Sequence, residues 1–426
     1  MKRREFLGSA GAMAIGGLSA PAIGQSIRSR TLRYVPAVNL TFLDPYSTTA
    51  IISTEHGYNV FDTLYALDST VTPRPQMAEG HTISPDGRTY QIKLREGLFF
   101  HDGEPVRAAD CVASLRRWMS KDSIGKLFAE RLDAMQALDD RTLRIQLKKP
   151  FPALLYGLAK AQTYAAFILP ERLAAGDPAK PVTEMVGSGP FRFVAKDYQP
   201  GHLVAYEKFD RYRPRHEPAN WLSGGKVAHF QRVEWRILPD AATAVSALRA
   251  GEVDWLQVVE PDLIPSLKRN RDVVLARREP TGWIRMLRFN HLVPPFNNVK
   301  MRQAVMLAVD QRDYLAQATG AIPEASQVCH SFYACGMPYG KPSTPDPLAG
   351  TPDLARARAL VAEAGYKGEK VVLLNPVDLF GPMGQLTKSV LESIGIKVEL
   401  VDVDWGTLLQ RRANRGPAES GGWNIV

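Results

Sequence analysis

Cys329, His330 and Cys335 stand close together in the stretch QVCHSFYACGMPYG, and side chains of these types bind metals or form disulfides. Structural zinc sites use four ligands at characteristic spacings, and these three residues match no standard zinc spacing. Two nearby cysteines in a loop can instead close a small ring by a disulfide in an oxidising compartment. We therefore expect a disulfide between Cys329 and Cys335 and no bound metal. A metal site that uses all three side chains is the alternative.

The sequence contains none of the motifs that mark the common hydrolases or nucleotide-binding enzymes. The stretch nearest to a nucleophile elbow, Gly187-Ser188-Gly189, lacks the required G-x-S-x-G spacing. His216-Glu217 is followed by Pro218, which would interrupt the helix that an H-E-x-x-H zinc site needs. We therefore expect no enzymatic activity and no cofactor. An exported hydrolase whose catalytic residues form no recognisable motif is the alternative.

The first 22 residues have the organisation of an export signal. Lys2, Arg3 and Arg4 precede a short Gly/Ala-rich run that ends at the small-residue site Ala20-Pro21-Ala22. The run is shorter than the ~20 residues that span a bilayer, and paired arginines before Phe-Leu resemble a twin-arginine signal. We expect cleavage after Ala22 and a soluble periplasmic protein, because no later segment has about 18 consecutive apolar residues. A signal that stays attached as an anchor is the alternative, and the choice between the twin-arginine and general export routes is open.

Length and composition are those of a globular protein with more than one domain. The 426 residues would form two or three compact units at roughly 150 residues each. Apolar residues make up 45% and charged residues 23%, which argues against disorder. The formal net charge of +9 is spread along the chain, and its densest clusters lie in no recognisable nucleic-acid module. We interpret the excess as a solvated basic surface and expect no nucleic-acid partner.

Hydrophobic periodicity predicts an antiparallel region in the N-terminal half of the chain. Apolar residues alternate with polar ones in Thr89–Leu94 and in Thr142–Lys148, which is the period of a half-buried strand. Asp86-Gly87 supplies a turn before the first of these strands, and Ala108–Met119 has helical spacing between them. Residues 65–180 are therefore predicted to form antiparallel strands with inserted helices.

Two further regions predict parallel α/β layers, in which strands alternate with helices. The elements of the first are a strand over Val233–Ile237, a helix over Ala241–Ala250 capped by Asp240, and a strand from Glu252 onward. The elements of the second are a strand over Val371–Leu374, a helix near Gln385–Ile394 and a strand over Lys397–Val401. A helix before the second layer is predicted to have Thr351 as its cap and Pro352 at its first position.

Residues 75–118 carry the strongest indication of a family. They read PQMAEGHTISPDGRTYQIKLREGLFFHDGEPVRAADCVASLRRW, which closely resembles the signature of the extracellular solute-binding proteins of peptide-type ABC transporters, the dipeptide, oligopeptide and nickel group. Further segments match in order: FLDPYS at 42–47, VGSGPFRF at 186–193, ALRAGEVDW at 247–255 and ARALVAEAGY at 357–366. The family usually has Thr or Ser where Arg107 stands, so we expect Asp110 to help cap the following helix.

The resemblance implies an α/β, two-lobed periplasmic binding protein fold with mixed sheets and an extra β-rich subdomain in lobe I. The implied units are the signal peptide over 1–22, the main part of lobe I over 23–64 and 181–270, the extra subdomain over 65–180, and lobe II over 271–426. The lobes would close on the ligand about a hinge that includes Pro280-Thr281-Gly282-Trp283.

The resemblance also implies a function and a site. A monomeric protein would capture a peptide or a similar small polar solute between its lobes and deliver it to the permease subunits of an ABC transporter. The residues expected to line the cleft are Asn39, Thr41, Phe42, Gly187, Ser188, Gly189, Trp283 and Asn290. Each of them could equally serve packing or turn formation. An opine, a glycoside or a metal chelate is the alternative ligand within the family, and a chaperone-like peptide binder is an alternative outside it.

The C-terminal stretch ESGGWNIV reads as a turn followed by the start of a strand. In the resembled family such a strand belongs to lobe II, and the chain then continues through lobe II and returns to lobe I. Peptide-binding relatives carry an acidic residue shortly after this strand that holds the ligand's α-amino group. We therefore expect the 426 residues to be a truncated form that lacks the return to lobe I.

Overall fold

A computed structural model of the chain describes residues 30–277, 284–320, 322, 326–333, 335, 340–341 and 350–426. The predicted signal peptide and the predicted hinge at 280–283 lie outside these residues. The strands are β1 (Thr31–Val35), β2 (Asp62–Thr63), β3 (Tyr65–Leu67), β4 (Pro73–Pro75), β5 (Ala78–Ile83), β6 (Thr89–Leu94), β7 (Leu132–Ala137), β8 (Thr142–Leu147), β9 (Phe167–Ile168), β10 (Phe191–Phe193), β11 (Leu203–Lys208), β12 (Arg232–Arg236), β13 (Trp255–Leu256), β14 (Val371–Pro376) and β15 (Val398–Val403).

The helices alternate with these strands in the two α/β regions and are inserted between them elsewhere. They are α1 (Ile51–Val60), α2 (Ala108–Lys121), α3 (Ser123–Arg131), α4 (Leu154–Leu158), α5 (Glu171–Ala174), α6 (Ala241–Arg249), α7 (Ile264–Lys268), α8 (Val299–Ala308), α9 (Gln311–Thr319), α10 (Leu354–Glu363), α11 (Val377–Ser393) and α12 (Trp405–Ala413).

The region predicted as lobe I, called lobe I below, contains a mixed five-stranded sheet in the order β10-β11-β12-β1-β13. The central strand β1 pairs parallel with both β12 and β13, whereas β10 and β11 run antiparallel. Helix α6 connects β12 to β13, and the Asp240 side chain caps it by accepting the Thr243 N–H at 2.7 Å. The helix is followed by Gly251 in the left-handed region, at φ +67°. The predicted strand–helix–strand unit is therefore confirmed.

A second sheet in lobe I has four antiparallel strands in the order β5-β6-β8-β7. One face of β6 and β8 is buried, as their alternating sequences predict, and α2 lies against the sheet through its own buried side chains, including Trp118. The Trp118 indole N–H donates to the Tyr164 carbonyl at 2.9 Å, so this large side chain is buried without an unsatisfied donor. Truncation of a buried tryptophan to alanine typically costs about 3–5 kcal/mol, which makes Trp118 a principal anchor of this region.

The N-terminus of α2 shows how the chain manages without a Thr or Ser cap. The Asp110 carboxylate accepts the backbone N–H of Arg107 at 2.7 Å, which is half of a capping box. Its second oxygen accepts the Glu171 N–H at 2.6 Å and ties α5 to the same point. The contribution expected from Asp110 is therefore present, and a second helix depends on it.

The region predicted as lobe II, called lobe II below, contains the parallel pair β14 and β15, with α11 as the connection. Two predicted helix starts were wrong. The cap of α10 is Asp353, which accepts the Arg356 N–H at 2.9 Å, rather than Thr351. Helix α11 begins at Val377, several residues before Gln385, and continues through Pro382. Gly384 is required inside α11 because a Cβ there would collide with the Asn375 side chain.

Strand β14 contributes to two separate cores through its alternating side chains. Val371 and Leu373 lie in a core formed within lobe II by α8, α10 and α11. Val372 and Leu374 belong instead to the large buried cluster that runs through lobe I, together with Leu408 of α12. Since successive side chains of a strand point to opposite faces, one short strand joins both hydrophobic cores.

Residues 424–426 lie between β14 and the segment 288–290. Ile425 bridges Leu373 in parallel and Phe289 in antiparallel orientation. The buried Asn424 side chain accepts the Val372 N–H at 2.8 Å and donates to the Pro294 carbonyl at 2.9 Å. This residue therefore satisfies two backbone groups, of which the Val372 N–H is buried.

Replacement of Asn424 by alanine should leave both of these backbone groups without a partner. A buried unsatisfied group costs about 1–3 kcal/mol, and water can replace the partner of the exposed Pro294, so we expect N424A to lower the free energy of unfolding by about 1–3 kcal/mol. The measurement is the urea denaturation midpoint. The matched control Gln410→Ala changes an exposed side chain of α12 and should shift stability by less than about 0.5 kcal/mol. Equal midpoints for the two variants would contradict the assigned role of Asn424.

Candidate functional site at the junction of the lobes

The loop that follows β1 presents polar side chains on a buried base. Leu40 and Tyr46 are each 1% exposed and anchor the loop, whereas Asn39 and Thr41 are exposed. The Phe42 carbonyl accepts the Ser53 hydroxyl at 2.6 Å, which fixes the loop to α1. Asn39, Thr41 and Phe42, which were predicted to line a cleft, therefore lie together at one edge of lobe I.

Gly187, Ser188 and Gly189 lie inside lobe I, packed against the C-terminal end of α1. The Gly189 N–H donates to the Val60 carbonyl at 2.9 Å, and a Cβ on Gly187 would collide with that same oxygen. The Ser188 side chain is 5% exposed, with its hydroxyl 4.0 Å from the Met77 sulfur. The glycine pattern of this turn is thus explained by close approach of two backbones.

His101, from the family-like segment, holds this turn through both ring nitrogens. Its Nε2 lies 3.1 Å from the Gly189 carbonyl oxygen, and its Nδ1 accepts the Gly187 N–H at 3.3 Å. The backbone N–H of His101 also donates to the Gly187 carbonyl at 2.8 Å. This arrangement requires a neutral ring with the proton on Nε2. Burial lowers the pKa of His101 to about 4, which keeps the ring neutral near pH 7.

Asn290 is buried and uses its whole amide group within lobe II. Its Nδ2 donates to the Trp423 carbonyl at 3.0 Å, and its Oδ1 accepts the Leu292 N–H at 3.1 Å. Its role in the structure is to position the C-terminal segment. Trp283, predicted at the neighbouring part of the cleft, lies outside the described residues.

The carboxyl ends of β14 and β15 carry a group of side chains that was not predicted from the sequence. The Asp378 carboxylate accepts the Trp405 N–H at 3.1 Å, which ties α11 to α12. The Trp405 ring meets Phe380 edge-on, with centroids 6.3 Å apart. The Arg285 guanidinium lies 4.8 Å from the Phe380 centroid, within range of a cation–π contact. Asp404 directly follows β15 and caps α12. The sequence signal for Asp378, Phe380, Asp404 and Trp405 is their position just after two predicted parallel strands, where ligands of open α/β sheets bind.

The edge of lobe II that carries α12 touches the loop after β1. A Cβ on Gly406 would lie 3.0 Å from the Thr41 hydroxyl oxygen, so a side chain there would crowd the loop. Farther along α12, the Arg412 guanidinium donates to the Thr49 hydroxyl at 2.7 Å. The carboxyl end of β1 in lobe I and the carboxyl end of β15 in lobe II therefore lie near each other. The loop after β1 and the helix α12 are in contact between them.

Electrostatics distinguish the two acidic residues of this edge. Hydrogen bonds from Thr407 lower the pKa of Asp404, the cap of α12. Burial, with a smaller contribution from the charge of Asp404, raises the pKa of Asp378. The shift of Asp404 follows from helix capping, and the shift of Asp378 follows mainly from burial. The arrangement is suited to binding polar groups.

The predicted disulfide stands apart from this junction. The structure joins Cys329 to Cys335, with Cα atoms 5.8 Å apart, and the Gln311 amide bonds both backbone groups of Cys329 at 3.0 and 3.1 Å. Disulfide sulfurs are not thiolates, so the alternative metal site does not fit. In the described ranges no group of three or more His, Cys, Asp or Glu side chains could hold a metal ion.

Within the same ranges, no helix has the length and apolarity needed to cross a membrane.

Comparison with known proteins places this chain among solute binders. The family model of the bacterial extracellular solute-binding proteins, family 5, matches residues 72–425. A probable peptide ABC transporter periplasmic-binding protein of Sinorhizobium fredii is 37% identical over 430 residues, covering 99% of this chain and 80% of the relative. The glutathione-binding protein GsiB of Salmonella typhi is 27% identical, covering 96% of this chain and 76% of the relative.

A solved structure shows a similar fold. The periplasmic binding protein AgaA of A. tumefaciens R10, solved with agropinic acid, superposes with a TM-score of 0.73 at 25% identity. The alignment covers 93% of this chain and 76% of that protein.

Protonation of His101 should weaken lobe I as the pH falls. The folded-state pKa of His101, about 4, lies below the ordinary value of 6.5, so its contribution is complete above about pH 6.5 and is lost progressively down to about pH 4. Between pH 7 and pH 5 this loss amounts to about 2 kcal/mol. We expect His101→Gln to be less stable at pH 7 but to lose correspondingly less stability at pH 5, measured by urea denaturation. The exposed His216→Gln control should keep the wild-type pH dependence, and the same dependence in H101Q would refute the assignment.

Proposed function

Since the chain belongs to family 5 of the bacterial extracellular solute-binding proteins, we propose that it captures a peptide or a similar polar solute between its lobes and delivers it to an ABC importer. The family and the two-lobed α/β fold expected from residues 75–118 are confirmed. Membership also makes the chain a solute-binding protein, in line with the expectation that it is not an enzyme. The specific solute, the permease partner and the monomeric state belong to the proposal.

One observation carries the proposed site: the carboxyl ends of parallel strands from both lobes meet at the same junction. Ligands of open α/β sheets bind in the crevice outside the carboxyl ends of the strands, where loops can vary without disturbing the sheet. Here β1 leads into the loop carrying Thr41, and β15 leads into α12 with Gly406. Clefts between domains are also the usual place for small ligands.

The side chains at the junction suit a solute with both polar and apolar parts. Asn39 and Thr41 can exchange hydrogen bonds with amide or hydroxyl groups, and Phe42, Phe380 and Trp405 supply apolar surface. We propose the first three as direct ligand contacts, as the sequence predicted. Trp283 remains a predicted contact.

The other predicted site residues support the binding surface from behind it. Asn290 positions the C-terminal segment of lobe II, and Gly187-Ser188-Gly189 fixes the end of α1, which follows the loop after β1. We propose that these residues act through the backbone they hold and that substituting them would lower stability before affinity.

We further propose that the chain is exported to the periplasm by its twin-arginine motif and meets the permease at the inner membrane. The relative from Sinorhizobium fredii is named as a periplasmic-binding protein, which supports this location. The proposed lobe boundaries are those expected from the sequence, 23–64 with 65–180 and 181–270 for lobe I and 271–426 for lobe II. An opine is the second candidate ligand, favoured by the likeness to AgaA.

Ligand binding should raise the melting temperature of the purified chain by mass action. The experiment is a thermal-shift panel of di- to pentapeptides, glutathione, agropinic acid, sugars and nickel chelates, followed by calorimetry. At a concentration 100 times Kd a ligand stabilises the folded state by about 2.7 kcal/mol. We expect a peptide to give the largest shift. A shift with agropinic acid alone would replace peptide by opine, and hydrolysis of an ester or amide without any shift would sink the transport proposal.

A variant at the junction should separate ligand binding from folding. Gly406→Val places a branched side chain against Thr41 and should hold the lobes apart, so we expect affinity for the ligand found in the panel to fall at least about tenfold, equivalent to about 1.4 kcal/mol. Gly381→Ala is the matched control, because its Cβ enters open space. Unchanged affinity in G406V with an intact melting transition would place the binding site elsewhere.

A further inference from the structure

Two loops of lobe I, residues 68–72 and 217–225, each hold a non-glycine residue in the left-handed region. Val71 has φ +61° and is 43% exposed, and Trp221 has φ +53° and is 53% exposed. A β-branched residue at positive φ is rare, and glycine or asparagine usually fills the position that Trp221 takes in the tight turn over residues 220–223. Backbone strain of this kind occurs preferentially at functional sites. Two strained positions that both expose a large apolar side chain therefore indicate a surface that meets a partner.

The two loops lie against each other. The Ser69 N–H donates to the Asn220 side-chain oxygen at 3.0 Å, and the Leu222 N–H donates to the Leu67 carbonyl at 3.3 Å. Asn220 and Leu222 are the two neighbours of Trp221, so the turn that carries the indole is tied to the first loop and to the strand before it. The two exposed side chains therefore belong to one continuous surface.

Each loop is also fixed internally. The buried Asp68 carboxylate accepts the N–H groups of Thr70 and Thr72 at 2.9 and 3.0 Å. The second loop is closed by the Gly225 N–H, which donates to the Glu217 carbonyl at 2.8 Å. Loops held in this way keep their side chains in place before a partner arrives, so docking costs little conformational entropy.

Four arginines gather around Gln76, which directly follows β4. The Arg95 Nε donates to the Gln76 carbonyl at 2.8 Å, and its Nη2 donates to the Arg213 carbonyl at 3.0 Å. The Arg215 Nη1 donates to the same Gln76 carbonyl at 3.3 Å. Arg74, two residues before Gln76, has a side chain that is more than half exposed. Since β4 follows the first loop and Arg215 precedes the second, these cationic groups lie at the base of both loops.

The carboxylates beside these arginines do not neutralise all of their charge. Two of the four form ion pairs, Arg74 with Asp68 at 2.8 Å and Arg215 with Glu217 at 2.7 Å. Arg95 and Arg213 have no carboxylate within 4.0 Å in the described parts of the chain. The neighbouring Glu79 and Glu96 are both paired with Arg141 instead. The surface therefore combines exposed apolar side chains with an excess of positive charge.

We propose that the two loops dock lobe I on an anionic phospholipid surface. Trp221 and Val71 enter the interfacial region, and the arginines at the base of the loops face the lipid phosphates. An indole favours this region because it has an apolar ring and a polar N–H, and guanidinium groups bond phosphates in a bidentate way. The inference rests on the proposed location at the inner membrane, where such a contact would hold the protein close to its permease.

A bilayer suits this surface better than a protein partner does. Two side chains at loop tips offer far less area than the roughly 800 Å² per partner that a stable protein interface buries. A second copy of the chain would bring two arginine clusters together, and the formal net charge of +9 adds to that repulsion. A lipid surface needs no pocket of matching shape and supplies the negative charge that the arginines lack.

The test measures binding of the chain purified from the periplasm to protein-free lipid vesicles by sedimentation. One set of vesicles consists of phosphatidylglycerol, which is anionic, and the other of phosphatidylcholine, which has no net charge. We expect at least about tenfold tighter binding to phosphatidylglycerol, because each arginine near an anionic surface strengthens binding about fivefold. Binding should weaken as salt is added, because ions screen the attraction.

Trp221→Asn removes the indole without straining the loop. Asparagine tolerates positive φ better than tryptophan does, so the melting temperature of W221N should equal or exceed that of the wild type. Binding to phosphatidylglycerol should nevertheless fall at least about fivefold, because the apolar contact with the interface is lost. Trp255→Ala is the matched control, since Trp255 is 50% exposed on β13, outside these loops, and this variant should keep the wild-type binding.

Arg213→Gln tests the contribution of charge. Removal of this unpaired cation should weaken binding to phosphatidylglycerol about fivefold. Arg249→Gln removes an exposed arginine of α6 and should weaken binding less than about twofold, because salt screens charges that lie away from the contact.

The outcomes separate docking from solute capture. Equal binding to both kinds of vesicle, or wild-type binding by W221N, would overturn the docking surface, whereas ligand-induced thermal shifts that persist in W221N would leave the proposed function standing. If sedimentation velocity shows a dimer that W221N abolishes, the partner is a second copy and the lipid assignment is wrong. Binding to native inner-membrane vesicles but not to protein-free ones would overturn it in favour of a membrane protein.

Discussion

The alternation of side chains along β14 is the constraint on which the arrangement of the lobes depends. Val371 and Leu373 lie in the core of lobe II, and Val372 and Leu374 lie in the buried cluster that runs through lobe I. A strand that is buried on both faces cannot shift by one residue without exchanging the two sets, because the side-chain period is two. The position of β14 therefore also fixes α12 and the C-terminal segment, which pack on its two sides, and through them the polar junction.

The interior of lobe I contains a buried histidine held neutral and a buried carboxylate with partners. The buried His56 ring bonds the Tyr206 hydroxyl at 2.8 Å, and burial lowers its pKa to about 3. The buried Asp122 caps α3 and pairs with Lys160. The junction contrasts with this interior, since its arginines lack carboxylate partners in the described residues and its loops expose hydroxyl and amide groups. An edge with polar groups available to a partner, supported by a buried core, is what a protein that closes on a solute requires.

The residues that identify the family, 75–118, are not those proposed to bind the solute, and this difference has a physical reason. Residues 75–118 form a hairpin, a bend and a capped helix, and His101 within them holds the turn at Gly187–Gly189. These contacts are buried and demanding, so few residue types satisfy them. The loops at the carboxyl ends of the strands are exposed and tolerate many side chains, which lets relatives of one fold bind peptides, glutathione or opines.

The sequence by itself determined the family, through the resemblance carried by residues 75–118. It also determined the alternation of β6 and β8, the strand–helix–strand unit around α6 and the contribution of Asp110 at α2, because each of these depends on local periodicity or capping chemistry. Through the same resemblance it predicts Asn39, Thr41 and Phe42 as residues of the cleft. It missed the start of α11 because Gly384 and Pro382 read as helix breakers, whereas packing against Asn375 requires that glycine. Only the tertiary structure brought Trp405 and Arg412 opposite the loop after β1, since hundreds of residues separate them and no local pattern records which strand ends will face each other.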